Sequence, residues 1–182
     1  MASAFAHIAI PVVLYVVWKN KPVSLRLFFL ASLVSIVPDI DVLAFNLGIA
    51  YESPWGHRGF THSLIFAAAL SLALTPFHIV VESSRLAVFW VCFVSCISHA
   101  LLDALTNGGL GVALLWPFSD ERFFFPFRPI EVSPIGIAIF FSERGAKVIA
   151  SELQWIILPA MLIAALAAMV KRKFAKRQMV KR

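Results

Sequence analysis

Charge is scarce in this sequence. Lys, Arg, Asp and Glu make up 14% of the 182 residues and hydrophobic side chains 60%, where a soluble domain carries roughly 25% and 45–50%. That balance excludes an ordinary water-soluble fold. Only two cysteines are present, Cys92 and Cys96. One helical turn apart inside an apolar run, they suit small core positions and not an external disulfide framework. No basic side chain lies in Met1–Ala6, whereas Lys19 and Lys21 follow the first apolar stretch. A cleaved secretory signal has the reverse order, so the first segment is expected to remain as a helix with its N-terminus outside. Internal repeats and low-complexity stretches are also missing, and there is no room for a second, soluble domain.

What is present is a series of apolar runs, at about 4–18, 23–49, 61–81, 85–105 and 149–170. Each is near the roughly 20 residues that cross a bilayer as a helix. A weaker run at 132–141 is too short to span, and Pro134 and Gly136 suit a re-entrant or interfacial piece. The expected fold is all-α, an integral membrane helical bundle of about five transmembrane helices over residues 1–170 with a basic cytoplasmic tail at 171–182.

The formal net charge is +6, but seven of the sixteen basic residues stand in that tail: Lys171, Arg172, Lys173, Lys176, Arg177, Lys181 and Arg182. A basic segment directly after an apolar run reads as a cytoplasmic anchor on anionic lipid and not as a nucleic-acid surface. With Lys19, Lys21 and Arg26 marking the first inside loop, five spans place the N-terminus outside and the C-terminus in the cytoplasm. Residues 44–60 and 106–148 are then outside.

Ionisable side chains within spans are costly, about 2.5–3.5 kcal/mol each at a helix centre, and are functional candidates by default. Here they are few. His7 opens the first span, Asp39 and Asp41 close the second, His57 and His62 lead into the third, and His99 and Asp103 end the fourth. Threaded through five alternating spans, all seven reach one membrane face, whichever face that is. His99 and Asp103 are i and i+4, so they share a helix side and can grip one ion. Cys92, Cys96, His99 and Asp103 repeat at a 4-3-4 spacing and mark the inward stripe of that helix. Pro38 loosens the helix at Val37, freeing both neighbouring carboxylates to aim at one pocket, and Thr61 or Ser63 can cap the third helix. Taken singly, His7 is an interfacial histidine, the aspartates are helix caps, and His99 with Asp103 a buried couple; their convergence favours a metal site. Mixed imidazole and carboxylate ligands suit Zn²⁺ best, with Mn²⁺ or Fe²⁺ as alternatives, and seven donors allow one ion or two. His78 lies at the opposite end and is read as structural. Glu52, Glu82 and Glu152 are read as solvated or loop charges, and Trp116 with Phe123, Phe124, Phe125 and Phe127 as an interfacial aromatic belt.

Several motifs occur in order: the early His7, Pro38-Asp39-Ile40-Asp41, His57-Arg58-Gly59-Phe60-Thr61-His62-Ser63, Ser98-His99 with Asp103, Leu105-Thr106-Asn107-Gly108-Gly109, and Leu115-Trp116-Pro117-Phe118-Ser119 before Arg122-Phe123. Over about residues 3–135 this pattern resembles the YdjM-like family of membrane-bound metal-dependent hydrolases. The resemblance implies a bacterial inner-membrane protein, hydrolase activity requiring a divalent metal, and ligand roles for His7, Asp39, Asp41, His57, His62, His99 and Asp103. The expected chemistry is attack by a metal-activated water, with Asp41 or Asp103 as general base. Arg58 is expected to hold a phosphate through its planar fork, aided by Arg122 or Arg128, while Thr106 and Asn107 orient the leaving group or support the ligands from behind. A membrane lipid or another amphiphile carrying a phosphoester is the expected substrate, with a peptide or amide bond as the alternative, since the same activated water attacks carbonyls. The rivals are a metal-ion or proton transporter, for which the inner halves of the helices carry too few polar residues, and a metal-stabilised membrane protein without turnover.

Overall fold

The computed structural model describes residues 1–18 and 23–180. Lys19, Lys21, Lys181 and Arg182, part of the charge pattern used for orientation, lie outside the described residues. Proline positions account for most of the helix breaks. Pro11 has no N–H for the carbonyl of His7, four residues back, and its ring crowds that carbonyl. The first run accordingly divides into α1 (Ala4–His7) and α2 (Ala9–Trp18). Pro38 does the same to the carbonyl of Val34, where α3 (Leu25–Val34) ends. The chain continues as a 3₁₀ helix, Val37–Leu47, which Gly48 closes in the left-handed region at φ 71°.

After a series of turns, a short 3₁₀ helix at Phe60–His62 leads into α4 (Leu64–Leu74), which passes into a 3₁₀ turn, Thr75–His78, at Pro76. Ser63 caps α4 by accepting from the Phe66 N–H at 3.1 Å. Ser84 likewise caps α5 (Arg85–Ala104), the one unbroken twenty-residue helix of the bundle's centre. The last third contains α6 (Ile137–Phe140), α7 (Glu143–Glu152) and α8 (Leu158–Val180). A π-helical turn, Leu153–Ile157, joins α7 to α8 just before Pro159, whose missing N–H would have served Trp155.

Among the described residues, three segments are long and apolar enough to cross a membrane: Leu25–Leu47, Arg85–Ala104 and Glu143–Lys171. Two more, Ala4–Trp18 and Leu64–His78, are apolar but shorter; at 1.5 Å per residue each reaches about 22 Å of a roughly 30 Å hydrocarbon core. The third run was expected to span from 61, but Gly56–Ser63 is spent on turns that shape the site. The last was expected from 149 and instead begins six residues earlier. The weak run at 132–141 does not span: extended chain and the one-turn α6 run through it, and the Ser133 N–H reaches the Met1 carbonyl at 2.9 Å.

Helix α5 packs against α3 and α4, and α2 lies against α8. Val88, Val91, Cys92 and Cys96 of α5 meet Leu27, Ala31 and Val34 of α3 and Ala67 of α4 in the main core. The 4-3-4 stripe does face inward, with Cys92, Cys96, His99 and Asp103 all buried. A smaller cluster of Ala2, Ala6, Ile130 and Ile156 ties the N-terminal residues to the last helix. Large apolar side chains such as Phe29, Leu33, Leu72, Trp90, Met161 and Leu162 point outward. In the Glu143–Lys171 segment only 11% of the most apolar window is buried, a surface suited to lipid and not to water.

Candidate metal centre

All seven residues singled out from the sequence come together at one end of the bundle. The end of α5 supplies His99 and Asp103, the 3₁₀ helix after α3 supplies Asp39 and Asp41, the turns before α4 supply His57 and His62, and α1 supplies His7. All but Asp39 are buried, with His7, His99 and Asp103 fully excluded from solvent.

Hydrogen bonds to one side of each imidazole decide what the other side presents. His99 Nδ1 lies 2.8 Å from the Ser35 carbonyl; a carbonyl only accepts, so Nδ1 carries the proton. His62 Nδ1 sits 3.2 Å from Asp41 Oδ2 and 3.0 Å from Thr61 Oγ1. That leaves Nε2 of each neutral ring with a lone pair, and the two Nε2 atoms are 3.1 Å apart. Two lone pairs at that distance repel unless a proton or a metal ion stands between them.

Asp39 Oδ1 is 3.3 Å from His99 Nε2, and Asp103 Oδ2 is 3.6 Å from His62 Nε2. Donor atoms of Asp39, His62, His99 and Asp103 lie within 4.8 Å of one another. Ligands about 2.0–2.1 Å from a tetrahedral ion stand roughly 3.3–3.4 Å apart, close to the separations found here. Both oxygens of Asp39, Oδ2 of Asp103 and both ring nitrogens of His7 are buried with no hydrogen-bond partner. Each such group costs about 1–3 kcal/mol, and a charged one more, unless a ligand satisfies it. The residues present therefore fit a divalent cation.

A second group, Asp39, Asp41 and His57, meets the same 4.8 Å criterion and shares Asp39 with the first. Within it Asp41 is heavily engaged. Oδ1 takes His57 Nδ1 at 2.6 Å, and Oδ2 accepts the Arg58 N–H at 3.0 Å and the Thr61 hydroxyl at 2.6 Å. These contacts fix His57, His62 and the turn between them, as orienting carboxylates do around metal-bound histidines. His7 stacks on His99 with ring centroids 3.6 Å apart and brings Nε2 to 3.6 Å from Asp103 Oδ1. It borders both aspartates but stands outside the two four- and three-residue groups.

The residues expected to face a substrate are used differently. Arg58 has a left-handed backbone, φ 63°, and is completely buried. Its Nη1 donates to the carbonyls of Gly108 and Leu110 at 3.1 and 2.6 Å, its Nη2 to Thr106 Oγ1 at 2.9 Å, and its Nε lies 3.1 Å from Asp103 Oδ2. With its fork filled by its own chain, Arg58 braces the centre and holds no free face for a phosphate. Thr106 is buried under that guanidinium, Asn107 Oδ1 accepts the Val132 N–H, and Arg122 spreads over the carbonyls of Tyr51, Glu52, Ser53 and His57. Arg128 lies over the Phe124 ring, 4.7 Å from its centroid.

Thr61 was read as a possible helix cap; Ser63 takes that place, and the Thr61 hydroxyl serves Asp41 instead. Glu152 was read as a solvated or loop charge, yet it is buried and holds Ser3 at both oxygens, the N–H at 2.5 Å and the hydroxyl at 2.6 Å. One residue earlier, the Ala2 N–H donates to Asp103 Oδ1 at 2.6 Å. Burial pushes the Met1 amine below its usual pKa, against the pull of Asp103 nearby. The available signal for Glu152 was its position as the lone carboxylate within an otherwise apolar run; nothing local marks Ser3 or the Ala2 backbone.

Fold and centre together define a helical membrane protein with a buried histidine–carboxylate cluster at one end of its bundle. The family model described as YdjM inner membrane protein matches residues 1–175, and the chain belongs to that family. It is 41% identical over 164 residues to Inner membrane protein YbcI of Escherichia coli (strain K12), covering 90% of this chain and 95% of that protein. No solved structure matches the chain.

Proposed function

We propose that the protein is a membrane-embedded metal-dependent hydrolase that cleaves a phosphoester in a lipid or another amphiphile at the outer face of the inner membrane. The observation that carries this reading is the opposed pair of Nε2 lone pairs on His62 and His99, flanked by the two Asp39 oxygens, which have no hydrogen-bond partner, and by Asp103 Oδ2, which faces Arg58 Nε at 3.1 Å. These four residues would hold the first ion, zinc by preference given the mixed nitrogen and oxygen donors. Where a second ion binds, Asp39, Asp41 and His57 would hold it; with one ion bound, Asp41 and His57 stay free of metal. A bound divalent ion supplies a Lewis acid and brings the pKa of water toward about 7.

The chain's own residues supply positioning and proton transfer. Both oxygens of Asp41 are occupied, and Asp103 accepts from Ala2 beside Arg58, so neither suits the role of free general base expected from the sequence. The His57–Asp41 couple suits it better: Asp41 fixes Nδ1 and leaves Nε2 without a partner among the described residues. Arg58, with Nε 3.1 Å from Oδ2, neutralises Asp103. The N-outside, C-cytoplasmic orientation is part of the proposal and rests on Arg26 and the basic tail.

The test is metal content by mass spectrometry of detergent-purified wild type, His62→Ala and Asp103→Ala, followed by a screen of phosphoester amphiphiles. The reading expects one to two equivalents of Zn, Mn or Fe in wild type, reduced in both variants, and metal-dependent release of phosphate or a phosphoalcohol. A well-folded wild type that takes up no metal on resupply overturns it. Bound metal without turnover on any amphiphile assigns the centre to a non-catalytic, structural role.

A further inference from the structure

A cavity of about 310 Å³ opens beside the cluster and includes His57 in its wall. Its other walls are of two kinds. Val132, Ile135 and Ile139, from the extended chain and α6, are apolar, while Tyr51 and Arg144 bring polar atoms. Its volume is at the lower end of ligand sites, which run from about 300 to 1,000 Å³.

Two polar groups in this wall, His57 Nε2 and the Arg144 guanidinium, have no partner among the described residues. His57 is buried, and its Nε2 has no hydrogen bond among the described residues. Arg144 is exposed and forms no salt bridge among the described residues. Its place at the cavity is fixed by the elbow between α6 and α7. A Cβ on the adjoining Gly145 would stand 1.6 Å from the Phe140 carbonyl oxygen, so only glycine allows the first turn of α7 to fold back this closely. The arginines expected to grip a substrate are meanwhile consumed elsewhere, Arg58 on Gly108 and Leu110 and Arg122 on the 51–57 turn.

We propose that this cavity is the substrate-binding site for a phosphate-bearing amphiphile, with Arg144 as the residue that anchors the anion and the Val132–Ile139 wall receiving the first methylenes of its tail. A guanidinium donates two parallel hydrogen bonds to a phosphate, and the apolar wall discriminates against fully hydrated anions. The choice of phosphate rests on the hydrolase reading; the pairing of an unpartnered arginine with an apolar wall does not. The phosphate could be lipid-borne or a water-soluble ester, and the test separates the two.

Binding is measured by calorimetry on chelator-stripped full-length protein in an uncharged detergent. The probes are dihexanoyl phosphatidic acid, dihexanoyl phosphatidylcholine and glycerol 3-phosphate. Arg144→Gln is expected to weaken phosphatidic acid binding about tenfold, the size of one charge-assisted contact, while Lys147→Gln, which removes an equal charge from the same helix, changes it less than about twofold. Phosphatidic acid binding above glycerol 3-phosphate assigns a lipid source; equal, Arg144-dependent binding of both keeps the anion site and assigns a soluble ester. Equal affinity in wild type and Arg144→Gln, or phosphatidylcholine binding as tight as phosphatidic acid, overturns the proposal. Because neither metal nor turnover is involved, Arg144-dependent binding without hydrolysis counts against the hydrolase reading alone. Hydrolysis unaffected by Arg144→Gln counts against the cavity alone.

Discussion

Stripping the purified protein with a chelator and titrating zinc back probes the cluster through its stability. An ion that binds the folded state alone adds RT ln(1 + [L]/Kd), about 2.7 kcal/mol at a hundredfold excess over the dissociation constant. The structure gives reason for an effect of at least this size: Asp39, Asp103 and His7 together hold five buried atoms without a hydrogen-bond partner, and the His62 and His99 lone pairs oppose each other at 3.1 Å. For chains of 150–250 residues 1 kcal/mol moves the thermal midpoint by about 2–4 °C, so zinc should raise it by about 5–11 °C. Tryptophan fluorescence during heating in detergent reads the transition, and metal analysis of the same samples gives occupancy. His99→Ala should remove most of the shift, having lost one of the opposed nitrogens. A midpoint that stays fixed between metal-free and metal-saturated wild type refutes the assignment of these atoms to an ion.

Three further outcomes are expected. Thr61→Val keeps the shape but removes the donor to Asp41, and should weaken zinc affinity about 10–100-fold, measured by competition with a chromophoric chelator, with the protein still monodisperse. Glu152→Ala leaves Ser3 without its acceptor and should cost about 2–3 kcal/mol in thermal unfolding; Ser3→Ala should cost about 1 kcal/mol, and the double variant less than the sum because the two share one contact. Gly59→Ala would put a Cβ 2.1 Å from the Pro54 carbonyl oxygen and 2.7 Å from that of Gly56; these neighbours are backbone atoms that cannot swing aside, and size-exclusion profiles should show loss of the folded species.

The convergence of seven ionisable residues was readable because an apolar background makes each of them conspicuous and alternating spans pair helix ends automatically. The inward face of α5 was readable from spacing alone. Arg58 was not: beside Gly59 in a histidine-rich turn it looks like a substrate grip, and its actual partners, the carbonyls of Gly108 and Leu110, are some fifty residues downstream. Pairings of that range leave no local trace. The same holds for Glu152, whose partner Ser3 is 149 positions away. Span limits went astray at the third run, whose start is taken up by the turns before α4, and at the last, where the Ser142 side chain caps α7 at Glu143, ahead of the apolar stretch.

The cluster has a consequence for how the bundle holds together at all. Between apolar helices in a bilayer there is no hydrophobic reason to associate, since lipid tails are as apolar as leucine. Here the contacts that lipid cannot imitate are gathered at one end, where Asp41 fastens the second span to the turns before α4, Asp103 fastens α5 to the N-terminal residues, and Glu152 fastens those residues to the last span. The centre therefore doubles as the clasp of the assembly, and a change that loosens it should separate helices before it alters any of them.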